Sequence, residues 1–208
     1  MPRISAAERR GDFVRAAVEV IAIHGVDGAT TRRIAEHAQA PLATLHYCYN
    51  SKEELLADVF EFVTTRFRDA ITASEAHGDL VETARALLRG VMEFYVESTN
   101  FGVTALELTN WARRQHGNQA ITVYDKAMET VRSALRDAAD HPLEPETIDA
   151  IAYVIASLAD GFALNWLTYG DRAVAAEQMQ LSTSVLESWL ATRLESPRCG
   201  AVIGPPAR

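Results

Sequence analysis

The stretch that decides the fold is Thr30–Lys52, with the sequence TTRRIAEHAQAPLATLHYCYNSK. Thr30 and Thr31 are residues that favour helix N-caps, so they predict the start of a short helix. Pro41 interrupts the apolar pattern and is tolerated at the first turn of a second short helix, which follows over residues 42–49. Two short helices around a tight turn form a helix-turn-helix, a motif whose second helix lies in the major groove of DNA.

Helical patterns flank this stretch on both sides. Upstream, the sequence SAAE at residues 5–8 is a capping box, and apolar residues then recur at helical spacing until Gly25, which predicts the end of the first helix. Downstream, SKEE at residues 51–54 is a second capping box, followed by a helix that runs beyond Phe67. We therefore predict a compact three-helix bundle, followed by a long helix that connects it to the rest of the chain.

Every later segment also has helical periodicity, and no strand-like alternation stands out. The predicted fold is all-α, with an N-terminal helix-turn-helix bundle and a larger C-terminal helical domain. The predicted boundaries are a helix-turn-helix domain at 1–51, a connector helix at 52–75, a larger helical domain at 76–196 and a disordered tail at 197–208.

The charge of the chain is unevenly distributed, which bears on whether the helix-turn-helix could meet DNA. The net charge of −8 disfavours nucleic acid as a partner when it is taken over the whole chain. Residues 1–56, however, hold seven Lys/Arg and seven Asp/Glu, so the excess of acid lies in residues 57–208. Because screening limits the reach of distant charges to about 8–10 Å, a local basic patch can still attract phosphates.

Composition limits the other classes of protein. Apolar residues make up 48% of the chain, enough for a substantial core. The sequence has no run of about 18 apolar residues, so we expect no membrane-spanning helix. Cys48 and Cys199 are too few for a disulfide framework or a thiolate metal site. We therefore expect a globular protein of the reducing cytoplasm, with no membrane association, no cofactor and no metal.

The helix predicted from Glu146 to Tyr169 is apolar on nearly all sides, which is typical of a helix buried on several faces. Large apolar residues form one stripe along it and alanines form an adjacent one. One face could meet the domain core while another meets a partner subunit, and with the last helix this predicts a four-helix-bundle homodimer. An ordinary core helix is the alternative. The residues predicted for the dimer interface are Ala152, Ala156, Ala159, Ala163, Val185 and Trp189.

The chain resembles the TetR family of bacterial transcriptional regulators. The resemblance is specific over Gly25–Val59, in the successive segments HG, TTRRIAEHA, ATLHYCY and SKEELLADVF. The remainder is similar only in length, helical content and its last two long helices. The family implies a homodimer with two N-terminal DNA-binding domains, an effector cavity in each larger domain, and usually repression that the ligand relieves.

The resemblance also assigns candidate DNA contacts. It places the recognition helix at Pro41–Tyr47. It places Thr31 and Arg32, at the start of the preceding helix, near the DNA backbone or groove edge. Tyr47 and Lys52 match positions that contact phosphates. Two residues depart from the family pattern. Glycine usually stands where Gln39 does, which implies strain of about 1–2 kcal/mol if that residue is left-handed, and tyrosine often stands where His46 does. The candidate DNA-binding residues are Thr31, Arg32, Leu42, Ala43, Thr44, His46, Tyr47 and Lys52.

The later helices supply candidates for an effector site. Ligand pockets are mostly apolar, with few placed polar groups, although each aromatic residue could equally serve the core. Together they predict a mostly apolar effector, whose identity the sequence does not give. The candidates are the aromatic residues Phe94, Phe101, Trp111, Tyr124, Phe162 and Trp166, with the polar residues Glu107, Asn110 and Asn165.

Two other classes of protein remain as alternatives: a small helical enzyme and a helical adaptor without DNA-binding activity. None of the six histidines forms a His-x-x-x-His or Glu-x-x-His pair, and there is no glycine-rich phosphate loop or nucleophile elbow. We therefore expect no catalytic residues. An adaptor would leave Arg32, Arg33 and Lys52 unexplained, so a DNA-binding regulator is favoured.

Overall fold

A computed structural model describes residues 5–73, 79–115 and 119–195 of the chain. Within these residues the regular secondary structure consists of nine helices and no strands, which confirms the predicted all-α fold. The predicted tail at 197–208 lies outside the described residues. The helices are α1 (Ala6–Gly28), α2 (Thr31–His37), α3 (Leu42–Cys48), α4 (Lys52–Ala73), α5 (Leu80–Glu97), α6 (Thr99–Arg114), α7 (Gln119–Asp137), α8 (Pro145–Tyr169) and α9 (Arg172–Glu195).

The helices divide into two compact units, and the division does not follow the predicted boundaries at residues 51 and 75. Of the described residues, those up to 66 form the first unit together with those between 98 and 123, so α6 joins the N-terminal helices instead of the larger C-terminal domain. The second unit consists of the described residues between 67 and 97 and from 124 to 195.

Helix α1 forms the centre of the first unit. Phe13, Ala17 and Ile21 recur along one face and are fully buried, in a cluster that also contains Ile34 of α2 and Leu45 of α3. Burial of each large apolar side chain contributes about 1.5–3 kcal/mol. This shared core fixes the two short helices on α1.

Helix α6 packs on α1 through a buried hydrogen bond as well as apolar contacts. The Thr104 hydroxyl is fully buried and donates to the carbonyl of Val18 over 2.8 Å. Leu108 is 1% exposed and belongs to the same core cluster as α1. These contacts explain why α6 belongs to the first unit.

Gly25 ends the regular part of α1, as the sequence predicts, and a short second helical stretch follows it after a kink. Its φ of 67° and ψ of 171° are not helical, yet the helix continues to Gly28. A Cβ at residue 25 would lie 3.3 Å from Oε2 of Glu107 on α6. Both the positive φ and the close approach of α6 therefore favour glycine at this position.

Helix α8 forms the core of the second unit, where α5 and α9 pack on it. Ile151, Ile155 and Phe162 are buried along one face, in a cluster with Leu88 of α5 and Leu190 of α9. By length and composition alone α8 could cross a membrane, since an 18-residue window has a mean hydropathy of 1.5. Its burial against α5 and α9 is that of a core helix.

The alanine stripe of α8 faces the interior of its own unit. Ala152 and Ala163 are 0% exposed and Ala159 is 3% exposed, so these three residues have no surface to offer a partner subunit. Ala156, the remaining alanine of the stripe, is half-buried, and the sequence pattern showed only that two faces of α8 are apolar, not which of them is covered within the unit. The exposed apolar residues of these two helices are Tyr153 and Leu164 on α8 and Val174, Leu181, Val185 and Leu194 on α9.

Candidate nucleic-acid interface

The helix-turn-helix begins with the predicted N-cap. The Thr30 side chain accepts a hydrogen bond from the backbone N–H of Arg33 over 3.3 Å, which satisfies one free donor of α2. Helix α3 begins at Leu42, because Pro41 is its N-cap and not its first helical residue. The recognition helix is thus Leu42–Cys48, one residue later than predicted.

The turn between α2 and α3 is a Schellman motif with an unusual residue in it. The N–H of Gln39 donates to the carbonyl of Glu36, and the N–H of Ala40 donates to the carbonyl of Ala35, both over 3.0 Å. Gln39 has a φ of 51°, the left-handed conformation for which glycine is usual. The conditional expectation of a left-handed residue at position 39 is therefore confirmed.

Helix α3 has a buried face and an exposed face. Leu45 and Tyr49, four residues apart, are each 1% exposed and belong to the core cluster of the first unit. On the opposite face Tyr47 is 84% exposed, an unusual position for a large aromatic side chain unless a partner covers it. The other candidates on α2 and α3 also reach the surface: Arg32, Leu42, Ala43 and His46 are exposed, while Thr31 and Thr44 are half-buried.

The two arginines of α2 differ in their freedom. Arg33 donates through Nη1 to the carbonyl of Gly28 over 2.8 Å, so its guanidinium is tied to the chain just before α2. Arg32 pairs with Glu36 over 3.2 Å, but its side chain is 80% exposed. Exposed pairs within a helix contribute about 0.3–0.5 kcal/mol, so Arg32 can exchange Glu36 for a phosphate.

Lys52 has a structural contact that the sequence did not indicate. Its Nζ donates to the carbonyl of Val26 over 2.6 Å, which ties the first residue of α4 to the end of α1. A lysine ammonium has three donors, so two N–H groups remain for another acceptor.

Sequence reasoning missed a polar network that holds the end of α3. Arg10 of α1 donates to the Cys48 carbonyl over 2.9 Å, to Glu54 over 3.0 Å and to Asp58 over 3.0 Å. The Tyr49 hydroxyl donates to the same Asp58 carboxylate over 2.9 Å. The only signal in the sequence was the four-residue spacing of Glu54 and Asp58, which places both acids on one side of α4.

This network shifts the pKa values of its members. The hydrogen bond to Asp58 raises the pKa of Arg10, although desolvation opposes it. Burial, followed by the hydrogen bond to Asp58, raises the pKa of Tyr49. The backbone N–H of Asn50, followed by Arg10, lowers the pKa of Glu54. The shifts all favour the protonation states present near neutral pH, so the network is intact there.

The second capping box is only half formed. The hydroxyl of Ser51 accepts from the backbone N–H of Glu54 over 3.1 Å, as predicted. A complete box also requires the Glu54 carboxylate to accept from the backbone N–H of Ser51. It accepts instead from the backbone N–H of Asn50, one residue earlier, and from the guanidinium of Arg10. The first box, between Ser5 and Glu8, is complete, and its prediction is confirmed.

Residues 13–59, from α1 to the first part of α4, match the family model of the bacterial regulatory proteins of the tetR family. The match contains the helix-turn-helix described above. The chain is therefore similar to the TetR family of transcriptional regulators over its helix-turn-helix region. This confirms the resemblance inferred from the sequence, and proteins of this family are regulators and not enzymes.

Three similar proteins show the extent of the similarity. The nicotine-responsive transcriptional repressor HdnoR of Paenarthrobacter nicotinovorans is 29% identical over 171 residues, which cover 79% of this chain and 86% of that protein. A TetR-family member from Streptomyces coelicolor has a TM-score of 0.65 at 22% identity, covering 85% of this chain and 97% of its own. The regulator FadR of Bacillus subtilis, solved with stearoyl-CoA, has a TM-score of 0.62 at 18% identity, covering 84% and 97%.

The residues predicted to line an effector site are divided between the two units. Phe101 and Trp111 pack against the core of the first unit, where the Phe101 ring lies 5.5 Å from that of Phe62. Phe162 and Trp166 are buried in the core of the second unit. Glu107 and Asn110 belong to the first unit, and Phe94, Tyr124 and Asn165 to the second.

Two further observations limit the chemistry of these residues. The Asn165 amide donates to the carbonyl of Gly161 over 3.2 Å, a contact within α8 itself. Across the described residues there is no group of three or more His, Cys, Asp or Glu side chains placed to hold a metal ion. The assignment of individual residues to an effector site stays a prediction.

Proposed function

We propose that this protein is a cytoplasmic TetR-family repressor that binds a pseudo-palindromic operator as a homodimer and is released by a mostly apolar small molecule. The observation that carries DNA binding is the exposed face of α3, which presents His46 and Tyr47 to solvent while Leu45 and Tyr49 anchor the helix in the core. A rigidly held helix with an exposed mixed face is suited to the major groove.

The exposed side chains have distinct roles in this proposal. Thr44 and His46 offer hydrogen bonds to base edges, and Leu42 offers an apolar contact to a thymine methyl group. The exposed Arg32 and Tyr47 contact phosphates, which position the protein without specifying sequence. Thr31, Ala43 and Lys52 complete the contact surface.

The exposed apolar residues of α8 and α9 support the homodimer. Leu181 is 65% exposed and Val185 is 47% exposed, one helical turn apart on α9, and the half-buried Trp189 follows one turn later. Leu164 of α8, which packs on α9, is 65% exposed. Two neighbouring helices with exposed apolar residues are what a four-helix-bundle interface requires.

The relatives support an organic effector. HdnoR is named for its response to nicotine, and FadR of Bacillus subtilis was solved with stearoyl-CoA. In the second unit of this chain, the rings of Phe67, Phe94 and Tyr95 lie 5.8–6.3 Å apart and form an aromatic cluster. We propose that the effector shifts α4 and thereby the spacing of the two recognition helices, with a coupling free energy of about 1–3 kcal/mol.

Selection of bound sequences from random duplex DNA, with and without candidate ligands, tests this function. We expect an inverted repeat whose half-site centres lie about 10 base pairs, or a multiple of that, apart. Recovery of no inverted repeat at moderate salt would contradict the repressor proposal.

The dimer has its own test. We expect Leu181→Arg to shift the protein from dimer to monomer in analytical ultracentrifugation, because it places a charge in the proposed apolar interface. The matched control is Gln180→Arg, on the exposed neighbouring position of α9. A dimer unaffected by Leu181→Arg would show that α9 does not form the interface.

A further inference from the structure

Basic side chains from two helices contact the end of α1. The Lys52 ammonium of α4 donates to the carbonyl of Val26 over 2.6 Å. The Arg33 guanidinium of α2 donates to the carbonyl of Gly28 over 2.8 Å. The last carbonyl groups of a helix lack partners within the helix and carry partial negative charge, so helix capping explains both contacts.

A third basic side chain reaches the same segment without capping it. Arg114 lies in the last turn of α6, and its Nη2 atom is 3.9 Å from Oδ2 of Asp27, the residue between Val26 and Gly28. This distance is that of an ion pair and is too long for a hydrogen bond. The side chains of Arg114 and Asp27 are 57% and 84% exposed, and exposed pairs contribute little to stability. The guanidinium can therefore exchange Asp27 for another anion.

The segment 26–28 lies between two parts of the proposed DNA-binding surface. Helix α2, whose first residues are proposed DNA contacts, begins three residues after the segment. Lys52, another proposed contact, donates to Val26 within the segment. Since Asp27 is the next residue after Val26, Arg114 is held on the same short segment as the Lys52 ammonium. All of these residues belong to the first unit.

Two acids oppose the positive charge at this end of α1. Asp27 pairs with Arg114, and Oε2 of Glu107 lies 3.3 Å from the place that a Cβ on Gly25 would take. The described residues around this segment thus include three cations and two carboxylates. The excess of positive charge lies at the surface, because Asp27 and Arg114 are exposed.

A phosphate of the DNA backbone matches this chemistry. A guanidinium presents a planar fork of N–H donors that fits the oxygens of a phosphate, and such charge-assisted hydrogen bonds are shorter and stronger than the 3.9 Å pair of Arg114 with Asp27. A neutral partner would leave the excess charge uncompensated. The position of the segment between proposed DNA contacts favours DNA over an acidic segment of another protein.

We infer that Arg114 of α6 contacts a phosphate of the operator, so that the DNA-binding surface extends beyond the helix-turn-helix. The inference rests on the proposed function, because it adds a contact to the proposed DNA interface. On binding, the guanidinium exchanges the carboxylate of Asp27 for the phosphate. Asp27 then stands beside the DNA backbone without its partner and lowers the affinity.

Fluorescence anisotropy of labelled duplexes between about 50 and 200 mM salt tests this inference on the full chain. The duplexes are the recovered inverted repeat and one of unrelated sequence. Each phosphate contact contributes about 0.9 to the slope of log affinity against log salt, so Arg114→Gln should make the slope shallower by about 0.9 for each bound copy of the chain. Affinity for both duplexes should fall by the same factor, since a phosphate contact carries no sequence information.

Three further variants separate a phosphate contact from a general effect of charge or folding. Arg15→Gln removes the same charge from an arginine that is 62% exposed and lies about 18 Å along α1 from Asp27, beyond the screening length of about 8 Å, so its slope should not change. Arg114→Lys keeps the charge and should keep the slope. Asp27→Asn should raise affinity for both duplexes about two- to fivefold, the size of one exposed ion pair.

An unchanged slope in Arg114→Gln, or an equal change in Arg15→Gln, would overturn the inference. The same holds for a slope that is also lost in Arg114→Lys, or for no gain of affinity in Asp27→Asn. A wild-type chain that does not prefer an inverted repeat would refute the repressor alone, because the slopes can still be compared on the unrelated duplex. A chain that binds no duplex at all would refute both.

Discussion

Gln39→Gly tests whether the turn between α2 and α3 stores backbone strain. Gln39 has a φ of 51° at the position of the Schellman motif where glycine is usual. Relief of a left-handed non-glycine residue is worth about 1–2 kcal/mol. Glycine loses about 0.5–1 kcal/mol of this through the greater freedom of the unfolded chain. We therefore expect Gln39→Gly to raise the free energy of unfolding of the first unit by about 0.5–1 kcal/mol.

Equilibrium urea unfolding measures the overall change, and amide exchange locates it. The N–H of Ala40, which donates to the carbonyl of Ala35, should exchange more slowly in the variant. The matched control is Gln115→Gly, also in the first unit, where φ is −79° and no strain exists to relieve. That substitution should lower stability by about 0.5–1 kcal/mol. If both substitutions destabilise the protein equally, Gln39 is not strained and the reasoning fails.

Two further substitutions test the contacts around α3. Arg10→Met should destabilise the first unit by about 1–2 kcal/mol in urea unfolding, because it removes half-exposed hydrogen bonds to Cys48, Glu54 and Asp58. The control is Arg15→Met, whose exposed pair with Asp12 contributes about 0.2–1 kcal/mol, and Arg10→Met should also weaken operator binding more than this control does. Equal effects of the two substitutions on urea unfolding would argue against the network. Lys52→Ala should weaken binding to all DNA sequences and lower the salt slope by about 1. An unchanged slope with reduced stability would show that Lys52 only bonds to Val26.

Features that depend on residues a few positions apart could be predicted from the sequence. The capping box of Ser5 and Glu8 forms as expected, and the resemblance to the TetR family implied strain at Gln39 if that residue kept the left-handed conformation, which it does. In both cases the relevant hydrogen bonds join groups within five residues of each other. Local sequence is then sufficient, because no distant element competes for the same groups.

Features that depend on distant contacts could not be predicted in this way. The Glu54 carboxylate accepts from Arg10, 44 residues earlier, as well as from the neighbouring Asn50, and the spacing of nearby residues does not indicate the contact with Arg10. Thr104 donates to Val18 across 86 residues, which places α6 in the first unit. Helical periodicity shows which face of a helix is apolar, but not which element will cover it.

The DNA-facing residues and the effector-binding residues differ for the same reason. The exposed face of α3 follows from its short length and its two buried anchors, Leu45 and Tyr49, which the sequence spacing revealed. The aromatic candidates for the effector site are spread over several helices, and the structure assigns Phe101 and Trp111 to a different unit from Phe162 and Trp166. Which aromatic residues share a unit is decided by tertiary packing alone.

The operator preference of Thr44→Ala is the most direct test of DNA recognition by α3. Binding should be measured for the wild-type chain and the variant on every single-base change in one half of the recovered repeat. We predict that the variant loses about 1–3 kcal/mol of discrimination at one base pair and keeps its preferences elsewhere. An identical preference profile for the two proteins would contradict recognition of DNA by Thr44.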